Sequence, residues 1–304
     1  MRRLKLDGVL LLDKPVGPSS SAVLQAVKRL LNADKAGHAG TLDPLASGLL
    51  PLLFGEATKF AQFGLDSIKE YRAQVLLGVA TDSGDAEGQV IDRQAVSVDG
   101  AGLARVLARF RGAIEQVPPM YSALKHEGQP LYALARAGQT VERAARQVTV
   151  HELELLERAD DVLHLRIRCS KGTYVRQLAI DIGLALGTVA HLAALRRTAV
   201  AGFRLDRAVT LDDLQALGEE SRLAWLLPPD SLLEELPRMD LPAALAERFL
   251  KGQAVTFQAA PAAPTALAAR GGPCRVYREA GALLGVGEAG PGNELHPVRL
   301  LASG

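Results

Sequence analysis

The chain has 304 residues, enough for one large domain or two and for a substantial core without disulfide or metal staples. With 48% hydrophobic and 23% charged residues it is ordinary in composition, which argues against a disordered chain, and 29 Gly and 16 Pro punctuate it too often for a coiled coil. The formal net charge of +1 hides a segregated distribution: residues 1–35 carry seven Lys/Arg against three Asp/Glu, residues 162–207 eight against two, and residues 208–250 three against nine. A local basic face can hold phosphates even when the total cancels.

In chain order, Gly8 to Leu12 reads as a strand that ends in Asp-Lys-Pro and a Gly17-Pro18 turn. Ser19 to Ser21 can cap a helix whose apolar positions Val23, Leu24, Val27, Leu30 and Leu31 follow helical spacing. Gly37 to Gly48 reads as a loop, Leu49 to Phe54 as a buried strand, Glu56 to Phe63 as a short helix and Tyr71 to Val79 as a strand. Asp82 to Gly88 is a polar turn, Leu103 to Phe110 a helix, 116–130 a long loop and Leu131 to Ala137 a short helix. Val148 to Leu156 and Val162 to Cys169 alternate as a strand pair about Ala159-Asp160-Asp161. A helix over Tyr174 to Leu186, a strand over Leu192 to Val200 and helices over Leu211 to Leu217 and Arg222 to Leu227 follow. Strands and helices are interspersed without regular βαβ alternation, which predicts an α+β fold with a mixed sheet. The acidic, Pro-broken segment ends near 236–240, and beyond an Ala/Pro-rich stretch, Ala259 to Arg270, the remainder reads as a small β-rich appendage.

Much chemistry is absent from the sequence. There is no GxxxxGK[ST], GxSxG, HExxH or CxxC, and Lys171-Gly172-Thr173 has the wrong order for a phosphate loop. Asp82 to Gly88 resembles a calcium loop only loosely, because the twelfth position is Arg93 rather than Glu. His151, His164 and His191 read as surface or structural residues, and neither metal nor nucleotide cofactor is implied. Cys169 and Cys274 fit a reduced compartment better than a disulfide framework. The charge-free run from Gly252 to Ala269 is interrupted by Gln253, Gln258, Pro261 and Pro264, which excludes a membrane span, and the run after Gly8 is too short for a signal peptide. The expected location is cytoplasmic.

The most unusual run is Lys35-Ala-Gly-His38-Ala-Gly-Thr-Leu-Asp43-Pro-Leu-Ala-Ser-Gly-Leu-Leu. Two glycines beside His38 permit close approach of a partner, and an isolated Asp-Pro is most simply a turn. The surrounding residues argue otherwise. GHAGTLDPLASGLLPLLFGEATK closely resembles the catalytic motif of the bacterial tRNA pseudouridine-55 synthases, the TruB family. The resemblance continues in Leu12-Asp-Lys-Pro-Val-Gly, Lys69-Glu-Tyr71-Arg, Thr81-Asp-Ser-Gly-Asp85, Gln116-Val-Pro-Pro-Met-Tyr-Ser-Ala-Leu-Lys125, Cys169-Ser-Lys-Gly-Thr-Tyr174-Val-Arg176 and Leu195-Arg-Arg-Thr, in the family's order over roughly residues 8–210.

The resemblance implies a catalytic domain over residues 1–238, built on a mixed, largely antiparallel sheet, and a small PUA-like RNA-binding domain over 239–304. It implies isomerisation of uridine 55 in the T-loop of tRNA, with no cofactor, no obligate protein partner and a monomer. Asp43 matches the essential carboxylate, which can attack C1′, attack C6 or remove the C2′ proton. Arg176 matches the arginine paired with it, and a cation at contact distance favours the reacting anion. Tyr71 matches the tyrosine stacked on the target base, Tyr174 and Leu195 match pocket walls, and His38 matches the residue inserted into the T-loop. Asp85 is expected to hydrogen-bond the extruded base, and Lys14, Lys59, Lys125, Lys171 and Arg197 to contact phosphates. Three rivals stand beside this reading. They are a non-catalytic RNA-binding or folding protein, a glycoside hydrolase, which needs a second carboxylic acid, and a guide-RNA-dependent relative.

Overall fold

Residues 2–122, 124–257, 271–279 and 281–301 are described in a computed structural model. The apolar run after Gly8 forms β1 (Gly8–Lys14). Ser19 then caps α1 (Ser20–Leu30), its hydroxyl accepting from the Ala22 amide, and Val23, Leu24 and Val27 are buried on its inner face. Short β2 (Ala36–His38) leads to β3 (Ala46–Phe54). The segment expected as one helix after Phe54 is a 3-10 turn followed by α2 (Ala61–Asp66). Next come β4 (Lys69–Leu77), the small pair β5 (Val79–Thr81) and β6 (Val90–Arg93), α3 (Gly100–Arg109) and β7 (Gly112–Gln116). The expected 116–130 loop contains a two-residue hairpin, β8 (Lys125–His126) and β9 (Gln129–Pro130), before α4 (Leu131–Arg136). Its Glu127 and Gly128 both have positive φ, the twist that matches hairpin strands. The predicted strand pair is β10 (Arg146–Ala159) and β11 (Val162–Cys169), and it is followed by α5 (Val175–Ala185) and β12 (Ala190–Val200).

The main sheet has ten strands. Its path is completed by β13 (Phe203–Arg204) on β12 and β14 (Val209–Thr210) on β1. The order is β14-β1-β3-β12-β4-β11-β10-β7, with β2 beside β3. Only β1 with β14 and β3 with β12 run parallel among these pairs, so the sheet is mixed and largely antiparallel, as expected. Two of its strands had no strong sequence signal. β2 is three residues within a Gly-rich run, and β7 is an edge strand with mostly exposed side chains.

Helices α6 (Leu211–Ala216) and α7 (Glu219–Leu223) follow. The helix expected over Arg222 to Leu227 starts earlier. Glu219 and Glu220 occupy the first turn, where they suit the positive end of the helix dipole, and Leu227 instead exchanges backbone hydrogen bonds with Val9.

One face of the sheet is covered by α1 on one half and by α3 and α5 on the other. Each half has its own apolar cluster, and Tyr71 and Leu195 pack against both, which places them at the seam. Gly48 makes a close crossing possible at that seam. Its φ is +101°, and a Cβ there would lie on the backbone of Arg197, its partner on β12. Gly48→Ala is therefore expected to cost at least ~1–3 kcal/mol from backbone strain alone. Gly187→Ala is a suitable control: Gly187 also has a positive φ but nothing within 4 Å. Urea midpoints of the two variants give the comparison, with the larger loss expected at Gly48.

A second, five-stranded sheet contains β15 (Arg238–Leu241), β16 (Val255–Thr256), β17 (Gly272–Arg278), β18 (Leu283–Ala289) and β19 (Glu294–Leu300), with α8 (Ala243–Leu250) packed on it. The order is β15-β17-β18-β19-β16, so the β-rich reading of the last segment agrees with the structure. Met239, Leu241, Phe249, Val276 and Leu295 fill its core, and Val286 joins the cluster of Val9, Leu11 and Leu53 on the main sheet's other face. The Ala/Pro-rich stretch, 259–270, lies outside the described residues. Among the described residues no helix is long and apolar enough to cross a membrane.

Candidate active site

The site is built where the loop between β2 and β3 meets the start of α5. Ser20, buried in the first turn of α1, fixes this loop: its hydroxyl donates to the Leu42 carbonyl at 2.9 Å and accepts from the Leu42 amide at 2.8 Å. The Pro44 carbonyl accepts from Gly17, and the Asp43 carbonyl accepts from Ala46. This scaffolding holds Asp43 with its side chain 50% exposed, against 6% for Arg176. A buried cation thus presents an accessible carboxylate.

Arg176 lies in the first turn of α5, and its guanidinium makes three separate contacts. Nη2 meets Asp43 Oδ2, Nη1 donates to the Ser83 carbonyl at 3.3 Å, and Nε lies 3.1 Å from Asp85 Oδ2. Asp85 is buried, and its other oxygen accepts from the Ser83 hydroxyl at 2.6 Å and the Glu87 amide at 3.1 Å. Both Asp85 oxygens are therefore engaged. Asp85 thus also anchors the arginine that holds Asp43, beside the base contact expected of it.

Tyr71 on β4 stands opposite Arg197 on β12, and Ala73 opposite Leu195, so these side chains line one face of the seam. Arg197 is almost fully buried and donates to the carbonyls of Leu49 at 2.7 Å and Gly40 at 3.2 Å. Burial pushes the Tyr71 phenol above its ordinary value, partly opposed by the Arg197 charge. Burial also raises Tyr174, which sits just before α5. The Gln116 amide clamps the Tyr174 backbone, accepting from its N–H at 2.8 Å and donating to its carbonyl at 3.1 Å. Sequence reading did not single out Gln116 or Ser20 as site-building residues. The available signals were the Gln at the head of the 116–125 block and a second serine after the cap.

The lysines and Arg197 expected at phosphates have other partners. Lys14 is fully buried, its ammonium donating to the Pro15 and Pro18 carbonyls at 2.8 and 2.7 Å, and burial pulls it down to about 8. Lys59 joins Glu56 at 2.7 Å and the Leu300 carbonyl at 2.9 Å, tying the main sheet to β19. Lys171 pairs with Asp66 at 2.9 Å, and Arg197 is spent on carbonyls as described. Lys14 and Arg197 are buried on backbone carbonyls and belong to the scaffold, whereas Lys59 and Lys171 stay partly exposed within their ion pairs and Lys125 is exposed on β8.

His38 ends β2 opposite Leu52, half-buried, with its Nδ1 buried and unpartnered. Burial, reinforced by Arg197, lowers its affinity for a proton. As pH falls below the ordinary value of 6.5, the unfolded chain protonates first, so this group's contribution to stability is present above that pH and is lost below it. His38→Gln should therefore narrow the difference in thermal midpoint between pH 7 and pH 5.5, which a paired melting series measures. Among the described residues there is no cluster of three or more His, Cys, Asp or Glu suited to a metal.

Comparison with known proteins adds to this geometry. Residues 28–175 match the family profile described as TruB family pseudouridylate synthase (N terminal domain). Residues 176–234 match the tRNA pseudouridylate synthase B C-terminal domain, and 237–301 match Pseudouridine synthase II TruB, C-terminal. The chain is 56% identical over 304 residues, all of both proteins, to tRNA pseudouridine synthase B of Burkholderia mallei (strain NCTC 10247). It is 53% identical to the protein of that name from Aromatoleum aromaticum, covering 99% of this chain and 95% of the relative. Among solved structures, a Cbf5-Nop10-Gar1 complex matches at 30% identity with a TM-score of 0.73, covering 94% of this chain and 79% of that one. An H/ACA RNP bound to a substrate RNA containing 2'-deoxyuridine matches at 26% identity and a TM-score of 0.72, covering 97% and 85%.

Proposed function

Because the chain belongs to the TruB family of pseudouridylate synthases, we propose that it isomerises uridine 55 in the T-loop of tRNA to pseudouridine, with Asp43 as the reacting carboxylate. The observation that carries this reading is the half-exposed Asp43 held by buried Arg176 beside a seam lined by Tyr71 and Leu195. A stacked uridine cannot bring its ring against Asp43 and Tyr71, so the base is extruded from the loop toward them. The N1–C1′ bond then breaks, the uracil turns over and C5 bonds to C1′. The C5 proton is lost and N1 gains one, so atoms balance without an oxidant or water. Asp43 attacks C1′ or C6 as a nucleophile, or removes the C2′ proton as a base.

Tyr71 stacks on the uracil, and Leu195 and Tyr174 close the recess around it. His38, a flat and neutral ring flanked by glycines, fills the space that the extruded base leaves. Tyr71→Phe keeps the ring and removes the hydroxyl. If the phenol takes part in proton transfer from C5, turnover falls by about 10²-fold or more with RNA affinity unchanged, on the usual scale of acid–base catalysis. Residues 239–304 act as a PUA-like RNA-binding unit beside the catalytic domain of residues 1–238. The enzyme works as a cytoplasmic monomer with tRNA as its partner. Help with tRNA folding is compatible with this activity, since extrusion opens and recloses a loop.

The rivals fare less well. A glycoside hydrolase needs a free second acid, and Asp85 has both oxygens engaged. The two matched solved structures are named for complexes with other components, whereas the full-length 56% relative is named as a tRNA enzyme, which favours the stand-alone reading. The test is to incubate unmodified tRNA transcript with the protein and map pseudouridine chemically. A single modified position, 55, abolished in a U55→C transcript, supports the assignment. Modification elsewhere alone rejects it.

A further inference from the structure

A second group of cations lies away from the candidate site, where Lys14 and Arg197 are engaged with buried carbonyls. Arg2, Arg3, Lys5, Arg29 and Lys35 are exposed and Lys28 is half-buried, and none of the six is in an ion pair with a described residue. The fold gathers them. Leu4 donates to the Asn32 carbonyl at 2.8 Å, Asp34 donates to the Leu4 carbonyl at 2.9 Å, and the Asn32 side chain donates to the Arg2 carbonyl at 3.1 Å. The segment of residues 2–5 is thereby laid against the chain leaving α1. Arg2, Arg3, Lys5 and Asp34 line an open cleft of about 630 Å³.

Opposing charge is sparse here. Asp13 is paired with Arg196, and Asp7, which accepts from the Glu56 amide, keeps its charge, so Asp7 and Asp34 stand against six cations. From residue 14 to residue 33 the sequence has no Asp or Glu. Helix α1 lies within this stretch. Its first turn holds the Asp43 loop through Ser20, and its last turn carries Lys28 and Arg29. Eleven residues make the helix roughly 16 Å long, so a helix with no acidic side chain of its own joins the candidate site to the basic patch, with α6 and its Asp212 and Asp213 packed along its flank.

We propose that this patch is a second RNA contact surface, which binds the sugar-phosphate backbone of the substrate outside the loop that carries the target uridine. The proposal rests on the RNA-modifying reading above and extends it. Six cations beside two carboxylates, Asp7 and Asp34, suit a chain of phosphates better than a protein partner of mixed charge, and contacts of this kind position RNA without reading bases. The lysine and arginine in the last turn of α1 also complement the helix dipole. The test therefore includes a readout that such a local role would not move.

That test is a salt titration of RNA affinity with unmodified tRNA, comparing wild type with the quadruple variant Arg2→Gln/Arg3→Gln/Lys5→Gln/Arg29→Gln. Each lost phosphate contact lowers the slope of log affinity against log salt by about 0.7–0.9. The expected result is a slope smaller by about 2–3, with Kd and KM raised tenfold or more near 150 mM salt. The value of kcat at saturating RNA should stay within about twofold, and Arg→Lys at positions 2, 3 and 29 should preserve the slope. If wild type forms pseudouridine but the variant keeps its Kd and slope, the patch proposal is overturned and the assigned activity stands. If wild type forms no pseudouridine and binds no RNA, both fall.

Discussion

Asp43→Asn is expected to abolish pseudouridine formation, lowering turnover by at least ~10⁴-fold, the scale seen when a reacting side chain is removed. The amide has nearly the shape of the carboxylate, but it is neither a nucleophile toward an electron-poor carbon nor a base. The fold should tolerate the change. Asp43 is half-exposed, and Arg176 keeps its buried partner Asp85 at 3.1 Å and the Ser83 carbonyl at 3.3 Å. RNA affinity should therefore stay within a few fold of wild type, and the thermal midpoint should hardly move. Rapid-quench turnover, equilibrium binding and melting on one preparation check all three. Residual turnover within 100-fold of wild type would remove Asp43 from the chemistry.

Arg176→Ala should lose most turnover and, unlike Asp43→Asn, should also lose stability. It releases Asp43 from its orienting partner and leaves Asp85 buried without its cation. Breaking a buried pair by removing one member costs about 3–5 kcal/mol, because the remaining charge stays desolvated. The Ser83 hydroxyl and Glu87 amide still serve Asp85, so the lower end is expected. Arg176→Ala/Asp85→Asn should regain part of the lost stability while turnover stays low, because only the stability loss runs through Asp85. Arg176→Lys keeps one charge but lacks the fork that meets Asp43 and Asp85 together, and should lose about 10²-fold in turnover, consistent with a misplaced reacting group. Denaturation and single-turnover rates on the four proteins separate the two roles. Equal recovery of turnover and stability in the double variant would contradict this division.

The sheet and its helices were legible where the hydrophobic period was strong. β1, β3, β10, β11, β12, α1, α3 and α5 all lie within a few residues of their expected spans. What escaped was set by pairing rather than by local pattern. β2 exists because Ala36 to His38 find a partner in Leu52 to Phe54. The segment before Pro228 gives up its helix because Leu227 pairs with Val9. In the candidate site, the Asp43–Arg176 pairing expected from the motif is the one the fold makes. The protein partners of Lys14, Lys59, Asp85 and Arg197 could not be read from sequence, because a charged residue in a motif looks the same whether or not the fold gives it a buried carbonyl or a counter-charge. The free cations of residues 2–35 were visible in the charge count, but their gathering into one patch depends on the Leu4–Asn32–Asp34 hydrogen bonds.

The central claim is that Asp43 drives uridine isomerisation. It is tested most directly by a T-stem-loop RNA tritiated at uridine C5, incubated in EDTA with wild type and with Asp43→Asn. The account predicts tritium release by wild type alone, with an RNA product whose mass differs only by the exchanged label and which carries pseudouridine in the T-loop. Absence of release by wild type, or release by Asp43→Asn at a comparable rate, would contradict it.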